Sequence, residues 1–402
     1  MAVGEASFPS MPSIGGVRLG TAAAGIKKPG RRDLVVIEIP ESASVAATFT
    51  RNAFCAAPVH VAKAHLSQQS ARYLLINTGN ANAGTGAAGL RDAERCCAAL
   101  GELAGVEPET VLPFSTGVIG EPLPVERIVA GLEPALAALA EDQWAAAAEG
   151  ILTTDTRTKG ATRQVELSGG TVTLNGISKG SGMICPNMAT MLGFVACDAA
   201  VDAETLTEWL QEAVKVSFNA ITVDSDTSTN DACTLIATGR GPAVQTAEDE
   251  QRFRTALTTL LTELAQAIIR DAEGATKFVT IDVEQATSVE EAREVAFTVA
   301  HSPLVKTALY ASDANWGRIL AAVGRAPVEA LDVDKIGIDL GDVRLVENGG
   351  RADSYTEEAG SRVMAQEEIV IRIQLGRGDA VATVWTSDLS HDYVSINADY
   401  RS

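Results

Sequence analysis

Thr190 is the residue whose position in this sequence best suits nucleophilic chemistry. It precedes a short apolar run, residues 191–197, that is typical of a buried strand, and it follows the segment KGSGMICPNM at residues 179–188. If the chain were cut between Ala189 and Thr190, the threonine would carry a hydroxyl nucleophile and an α-amine, whose ordinary pKa is about 7.7 to 8.0. Such an amine can act as the base for its own hydroxyl. The pattern alone nevertheless favours a simpler interpretation, in which Thr190 satisfies backbone groups at the head of a buried strand.

Metal-dependent chemistry has little support in the sequence. The histidines are few and dispersed, and none stands in an HExxH pattern: His60, His65, His301 and His391. The six cysteines include no CxxC pair, so we interpret them as reduced and mostly buried. We therefore predict no metal site, and a general base that is not histidine.

One polar run, DSDTSTND at residues 224–231, resembles the beginning of a calcium-binding loop. Thr229 stands where an EF-hand needs glycine, and Leu235 stands where it needs a bidentate glutamate, so calcium is not predicted. Two interpretations stay open. The run is either a turn rich in Asx and Ser/Thr hydrogen bonds or a segment that shapes a functional site.

Three further polar loops could suggest phosphate binding, namely NTGNANAGTG at residues 77–86, STGVIG at residues 115–120 and TTDT at residues 153–156. None of them has the Walker A order GxxxxGK[ST], and Lys179 precedes the glycines of its own loop. Ser181 is not a nucleophile elbow either, because the residues two positions before and after it are not glycine.

The composition disfavours partners that carry negative charge. The chain has 402 residues, with 52 aspartates and glutamates against 32 lysines and arginines, and its formal net charge is −20 at pH 7. Nucleic acids and anionic lipid surfaces repel such a chain unless it carries a local basic patch. The longest basic cluster, at residues 27–32, contains a proline and a glycine, and we interpret it as a solvated turn.

The sequence also lacks the patterns of membrane insertion and export. No run approaches the roughly 18 uninterrupted apolar residues of a membrane helix. The first ten residues show no cationic region followed by an apolar block, so we expect a cytoplasmic protein with no membrane partner.

The hydrophobic pattern predicts an α/β fold. Short runs rich in β-branched residues, at residues 34–39 and 74–76, alternate with alanine-rich segments of helical spacing, at residues 90–103 and 125–139. Such helices pack closely against a sheet. Residues 369–375 alternate between apolar and other side chains, and a turn at residues 377–379 leads into a second run, residues 380–385, which together give the pattern of a β-hairpin.

Capping residues predict where two helices begin in the second half of the chain. Asp202 is predicted to be an N-cap, and Thr246 with Asp249 has the pattern of a capping box. We expect the second of these helices to continue until Gly274, which places Glu273 at a helix end.

The motifs taken together resemble one known family. The segment KGSGMICPNMATMLGF resembles the cleavage and nucleophile segment of the ornithine acetyltransferases, also called glutamate N-acetyltransferases. Other motifs follow in that family's order: FTRNAFCAAPV, NTGNANAGTG, STGVIGEPLP, TTDT, DSDTSTND, DAEGATK, SDANWGR and the terminal NADYRS. The resemblance spans nearly the whole chain, and the motifs are highly specific in combination.

The resemblance implies a site, residue by residue. The threonine of the ATML motif is Thr190, which implies self-cleavage into an α chain, residues 1–189, and a β chain, residues 190–402. Thr116 and Gly117 match the family's oxyanion-hole pair. The positions that match the family's substrate contacts are Thr153, Lys179, Thr190, Glu273, Asn397 and Ser402. Many relatives end in threonine instead of serine, but serine keeps the hydroxyl.

The resemblance also implies a fold and a reaction. The fold is α/β, an αββα-type sandwich in which helices flank stacked β-sheets, with an N-terminal and a C-terminal part and a site at their junction. The reaction moves acetyl from N-acetylornithine to glutamate through an acetyl-threonine, giving ornithine and N-acetylglutamate. No cofactor is implied, and the sequence does not decide whether acetyl-CoA is also a donor. The family's assembly implies a heterotetramer of two α and two β chains.

Two other functions stay open on the sequence. The first is an N-terminal-nucleophile aminopeptidase or amidase, in which water replaces glutamate as the acceptor. The second is a catalytically silent protein that binds a small anionic ligand with its glycine-rich loops. Transfer of acetyl, as opposed to release of acetate, distinguishes the first alternative. An intact single chain that forms no acetyl-enzyme would indicate the second.

Overall fold

The computed structural model describes residues 2–5, 7–185 and 191–399. Three predicted site residues lie outside these ranges: Ala189, Thr190 and Ser402. The described strands are β1 (Arg18–Ala22), β2 (Leu34–Glu38), β3 (Ser44–Phe49), β4 (Tyr73–Asn80), β5 (Val111–Val118), β6 (Lys159–Leu167), β7 (Gly170–Lys179), β8 (Leu192–Cys197), β9 (Ile221–Thr222), β10 (Ala232–Ala237), β11 (Phe278–Ala286), β12 (Gly337–Leu340), β13 (Val343–Glu347), β14 (Gly350–Arg351), β15 (Glu368–Gln374) and β16 (Ala380–Ser387).

The described α-helices are α1 (Ala57–Gln68), α2 (Gly86–Ala104), α3 (Val125–Ala137), α4 (Trp144–Gly150), α5 (Ala203–Lys215), α6 (Ala247–Arg270), α7 (Val289–Ala300), α8 (Pro303–Tyr310), α9 (Trp316–Gly324), α10 (Glu357–Met364) and α11 (His391–Ala398). Within the described ranges, no helix combines the length and the apolar character needed to cross a membrane.

Two sheets stack face to face in the first part of the fold. The first sheet has the strand order β1-β2-β4-β5, and the second has the order β3-β10-β8-β7-β6. Apolar side chains of both sheets fill the space between them, for example Ile76 of the first sheet and Ile236 of the second. The rings of Phe114 and Phe194 meet edge to face across this interface, with centroids 5.3 Å apart.

Helices cover the outer face of each of these two sheets. α2 and α3 pack on the first sheet through residues such as Cys97 and Leu132, and α5 and α6 pack on the second through residues such as Trp209 and Leu257. The layers therefore run helix, sheet, sheet, helix, which confirms the expected αββα sandwich. Because both faces of β8 and β10 are covered, every residue of these two strands is buried.

A third sheet forms the C-terminal part of the fold. Its strand order is β14-β13-β12-β15-β11-β16-β9, and α7, α9 and α10 contribute Val295, Ile319 and Val363 to its core. The predicted β-hairpin of residues 369–385 is wrong, because β11 lies between β15 and β16, parallel to the first and antiparallel to the second. The alternating pattern of β15 reflects burial on one face and does not determine which strands it pairs with.

The second sheet joins segments from both sides of the predicted cleavage site. β3, β6 and β7 precede this site in the sequence, whereas β8 and β10 follow it. β8 pairs with β7 up to Lys179 opposite Leu192, and β10 lies between β8 and β3. A cut after residue 189 would leave these ladders intact. The division into chains 1–189 and 190–402 stays a prediction, because the cleavage site itself lies outside the described residues.

The predicted helix starts are confirmed, whereas one predicted helix end is wrong. The side chain of Asp202 caps α5, and Thr246 and Asp249 form a capping box at the start of α6. α6 ends earlier than predicted, so Glu273 lies in the loop beyond the helix. Gly274, with a φ of +69°, turns the chain within that loop instead of ending the helix.

Candidate active site

One cavity of about 270 Å³ gathers residues that lie far apart in the sequence. Its walls come from the end of β5, the loop after α4, the end of β7, the loop after α6, and α11. Every predicted site residue within the described ranges lines it: Thr116, Gly117, Thr153, Lys179, Glu273 and Asn397. Met191 and Leu192, the first described residues after Thr190, also line this cavity. The fold therefore brings the predicted residues together.

Thr116 and Gly117 lie at the end of β5, where its pairing with β4 becomes irregular. The Lys179 ammonium donates a hydrogen bond to Thr116 Oγ1 over 3.2 Å. Because a hydroxyl oxygen that accepts from an ammonium keeps its own proton for another acceptor, Thr116 can donate into the cavity. Gly117 has a φ of +136°, and a Cβ at this position would overlap the backbone of Gly79. Only glycine therefore fits here without a backbone shift.

Lys179 places an ammonium group in the cavity at the end of β7. Burial lowers the pKa of this lysine below its ordinary value, while the carboxylates of Asp155, Asp231 and Glu273 act in the opposite direction. The cavity thus combines a cation with carboxylates. This combination suits a ligand that carries both a carboxylate and an ammonium group.

Glu273 and Asn397 are in direct contact. The Asn397 side-chain amide, carried by α11, donates to Glu273 Oε2 over 2.8 Å. The backbone N–H of Glu273 donates to the Ser181 carbonyl over 2.9 Å, and a Cβ on Gly182 would overlap the Glu273 carboxylate. The loop after α6 therefore packs closely against the glycine-rich loop, residues 180–185.

A buried charge network, which the sequence interpretation missed, supports this arrangement. The Asp155 carboxylate accepts from the backbone N–H groups of Thr153 and Gly180 over 3.0 and 2.7 Å. Lys159 Nζ bridges Asp155 and Asp271 at 2.7 and 2.6 Å, and all three side chains are at most 1% exposed. Burial by itself raises the pKa of Asp155, but the neighbouring ammonium groups hold it well below its ordinary value.

The sequence did contain a signal for this network. One aspartate stands inside the TTDT motif and the other opens the DAEGATK motif. Charged side chains are ordinarily expected at the surface, however. Full burial becomes evident only when Asp271 meets the nearby pair of Asp155 and Lys159 in the fold.

The polar run of residues 224–231 contributes to the walls of the cavity. The Asp224 carboxylate accepts from two consecutive backbone N–H groups of the loop 180–185, over 2.7 and 2.8 Å. The Asn230 amide donates to the carbonyl of Ser115 in β5 over 2.9 Å. Within the run, the backbone N–H groups of Asp226 and Asn230 donate to the side chains of Asp224 and Ser228. The run is therefore a turn of the predicted kind and also a wall of the cavity.

The arrangement is suited to acyl-transfer chemistry. A threonine hydroxyl and a backbone N–H, at Thr116 and Gly117, are the kinds of donor that stabilise an oxyanion. Lys179 and Glu273, which both line the cavity, would present opposite charges to a ligand that carries an ammonium group and a carboxylate. The predicted roles of three residues outside the described ranges stay predictions: Ala189, Thr190 and Ser402.

Comparisons with known proteins find relatives along the whole chain. The sequence model of the ArgJ family matches residues 18–402. The chain is 57% identical to the arginine biosynthesis bifunctional protein ArgJ of Pseudomonas fluorescens (strain Pf0-1) and 56% identical to that of Pseudomonas syringae pv. tomato, each time over 406 aligned residues and 100% of both proteins. Among solved structures, the arginine biosynthesis bifunctional protein argJ from Bacillus halodurans is 36% identical, with a TM-score of 0.48, and the match covers 50% of this chain and 95% of that chain.

Proposed function

The chain belongs to the ArgJ family, and on that premise we propose that it is an acetyltransferase of arginine biosynthesis that moves acetyl from N-acetylornithine to glutamate. The observation that carries the proposal is the convergence of six predicted site residues on one cavity. These residues come from five separate segments of the chain, so their meeting does not follow from proximity in the sequence.

Thr190 is the proposed nucleophile. Its hydroxyl attacks the amide carbonyl of N-acetylornithine, its α-amine takes the proton and passes it to the departing ornithine amine, and an acetyl ester forms on the threonine. The amine of glutamate then attacks this ester, N-acetylglutamate leaves, and the hydroxyl is restored. The proposal is supported by Met191 and Leu192, which follow Thr190 in the sequence and line the cavity.

Each half of this reaction passes through a tetrahedral oxyanion. We assign its stabilisation to the hydroxyl of Thr116 and the backbone N–H of Gly117. The contact between Lys179 and Thr116 supports this role, because an ammonium group that donates to the hydroxyl oxygen orients the hydroxyl proton away and strengthens it as a donor.

One cavity can serve both substrates in turn, because both are α-amino-acid derivatives. We assign the shared α-carboxylate to Lys179, with hydrogen bonds from Thr153 and Ser402. Glu273, held by Asn397, suits the side-chain ammonium of ornithine. The reaction so described needs no cofactor beyond its substrates, and acetyl-CoA is proposed as a further acetyl donor.

The same hydroxyl is proposed to cut the chain. Thr190 attacks the Ala189 carbonyl, the peptide bond becomes an ester, and water hydrolyses that ester to leave a free α-amine. The ladders that β8 and β10 form with β7 and β3 would hold the two products together. We propose that two such pairs associate into a heterotetramer in the cytoplasm, as the family resemblance implies.

A transfer assay tests the proposal. The purified protein is incubated with N-acetylornithine labelled in the acetyl group, with and without glutamate. We expect label in N-acetylglutamate and an equal amount of free ornithine. Thr190→Ala should stay uncut and inactive, whereas Thr190→Ser, which keeps a hydroxyl and an amine, should retain part of both reactions. Release of the label as acetate at a rate independent of glutamate would instead indicate an amidase.

A further inference from the structure

The Asp224 carboxylate fixes the backbone of the loop 180–185. Its Oδ2 accepts from the N–H of Met183 over 2.7 Å, and its Oδ1 accepts from the N–H of Ile184 over 2.8 Å. The N–H of Val223 donates to the Ile184 carbonyl over 2.7 Å. Met183 has a φ of +55°, which a residue other than glycine keeps only where its surroundings hold it. Because Met183 and Ile184 line the catalytic cavity, Asp224 holds part of its wall.

The same carboxylate contacts the helix α11. The Tyr393 hydroxyl donates to Asp224 Oδ2 over 3.1 Å. Tyr393 is half-buried and packs against the core, whereas every other residue of α11 is exposed. Burial and the neighbouring carboxylate raise the pKa of Tyr393, so its hydroxyl keeps its proton and stays a donor. Because a helix without a buried face gains little from packing, the position of α11 depends on contacts such as this one.

The position of α11 in turn determines the position of Asn397. This residue lies one helical turn beyond Tyr393, and its side-chain amide donates to the Tyr393 carbonyl over 3.0 Å. The same amide donates to Glu273 Oε2 over 2.8 Å. A continuous series of contacts therefore leads from Asp224 through Tyr393 and Asn397 to the carboxylate that we assign to the ammonium group of ornithine.

We propose that Asp224 is a positioning residue with two separate effects, one on self-cleavage and one on recognition of the acetyl donor. This inference rests on the proposed function and deepens it. The first effect acts through the loop 180–185, which precedes the predicted cleavage site by only a few residues. The second acts through Tyr393, because this tyrosine fixes the helix that carries Asn397.

Two variants separate these effects. In Asp224→Asn, at least one N–H group of the loop faces an amide nitrogen instead of an oxygen. We expect self-cleavage to slow about 100-fold, which is the typical cost of a displacement of about 1 Å at a reacting group. Cell-free translation followed by denaturing gel electrophoresis measures this rate. Tyr393→Phe removes only the hydroxyl and keeps the ring against the core, so the chain should be cut at the wild-type rate.

A donor without an ammonium group distinguishes positioning from a general loss of structure. N-acetylnorvaline has the carbon chain of N-acetylornithine but no terminal amine. In fully cut Tyr393→Phe, we expect the KM for N-acetylornithine to rise about tenfold, because a hydrogen bond to a charged acceptor contributes roughly tenfold or more. The kcat for this donor, and kcat/KM for N-acetylnorvaline, should stay within about twofold of the wild-type values, since neither depends on the contact between Asn397 and Glu273.

Two matched controls accompany these variants. Tyr310→Phe removes an exposed hydroxyl beside α11 and keeps the ring contact with His391. Asp392→Asn removes an exposed carboxylate from α11, at the residue before Tyr393. Both controls should be cut and should transfer acetyl as the wild-type protein does.

The possible outcomes distinguish this inference from the proposed function. If the wild-type protein is not cut or transfers no acetyl, the proposed function fails and the inference falls with it. If the wild-type protein is cut and active, cleavage of Asp224→Asn at the wild-type rate would overturn the inference alone. An equal effect of Tyr393→Phe on both donors would do the same. If Asp224→Asn yields no soluble protein, the comparison of the two donors in Tyr393→Phe decides.

Discussion

Replacement of Asp155 by asparagine removes one charge from a network that water does not reach. The carboxylate accepts from Lys159 Nζ and from the backbone N–H groups of Thr153 and Gly180, at distances between 2.7 and 3.0 Å. Asparagine keeps one acceptor oxygen, but its amide nitrogen would face another donor. At least one of these contacts is therefore lost.

The structure sets the expected magnitude of this effect. Removal of one partner from a buried ion pair costs about 3–5 kcal/mol in the free energy of unfolding. Asp271 still contacts Lys159 at 2.6 Å after the substitution, so the ammonium group keeps a partner. We therefore expect the lower end of that range, about 3 kcal/mol. Because Thr153 and Gly180 donate to different oxygens of Asp155, at least one of them loses its acceptor, and the KM for N-acetylornithine should rise more than kcat falls.

Denaturant unfolding of wild type and Asp155→Asn measures the loss directly. Asp379→Asn, at an exposed aspartate between β15 and β16, is the matched control and should change stability by less than about 0.5 kcal/mol. If Asp155→Asn is as stable as this control, the network does not contribute as argued. Loss of kcat with an unchanged KM would show that Asp155 does not position the substrate contacts.

The network also predicts a dependence on pH. The pKa of Asp155 is lowered in the folded protein, whereas an aspartate in the unfolded chain has a pKa of about 3.9. Its contribution to stability is therefore complete above about pH 5 and is lost as the pH falls below about 4. The wild-type protein should lose more stability than Asp155→Asn between about pH 4 and pH 2. Parallel curves in acid would contradict this assignment.

Three further substitutions test the cavity. Thr116→Val should lower kcat by about 100- to 1000-fold with little change in Tm, and a loss below tenfold would argue against an oxyanion donor. Gly117→Ala should destabilise the protein strongly, because the new Cβ overlaps the backbone of Gly79; a wild-type melting curve would show that β5 relaxes there. Asn397→Ala removes the 2.8 Å bond to Glu273 and should raise the KM for N-acetylornithine several-fold, whereas unchanged kinetics would make this contact dispensable.

Features of the fold that depend on neighbouring residues were predictable from the sequence. The cap at Asp202 and the capping box of Thr246 and Asp249 depend only on residues within one helical turn, and both are present. The αββα layers follow from the family resemblance and from the alternation of strands with alanine-rich helices. The prediction of a hairpin at residues 369–385 is wrong, because β11 comes from a distant part of the chain and lies between the two strands.

The candidate site shows the same division. Motif matches predicted that Thr116, Lys179 and Glu273 belong to one site, and all three line the same cavity. The network of Asp155, Lys159 and Asp271 was missed, since charged residues are ordinarily solvated. Asp271, which completes this network, lies 112 residues from Lys159 in the sequence. No local pattern encodes such a meeting.

The central claim is that Thr190 is freed by cleavage and then carries the acetyl group. Its most direct test is a denaturing intact-mass measurement of the purified protein, before and after brief incubation with N-acetylornithine without glutamate. We predict two species, residues 1–189 and 190–402, with one acetyl group added only to the second and removed again when glutamate is supplied. A single uncut species, or an acetyl group on the first chain, would contradict the account.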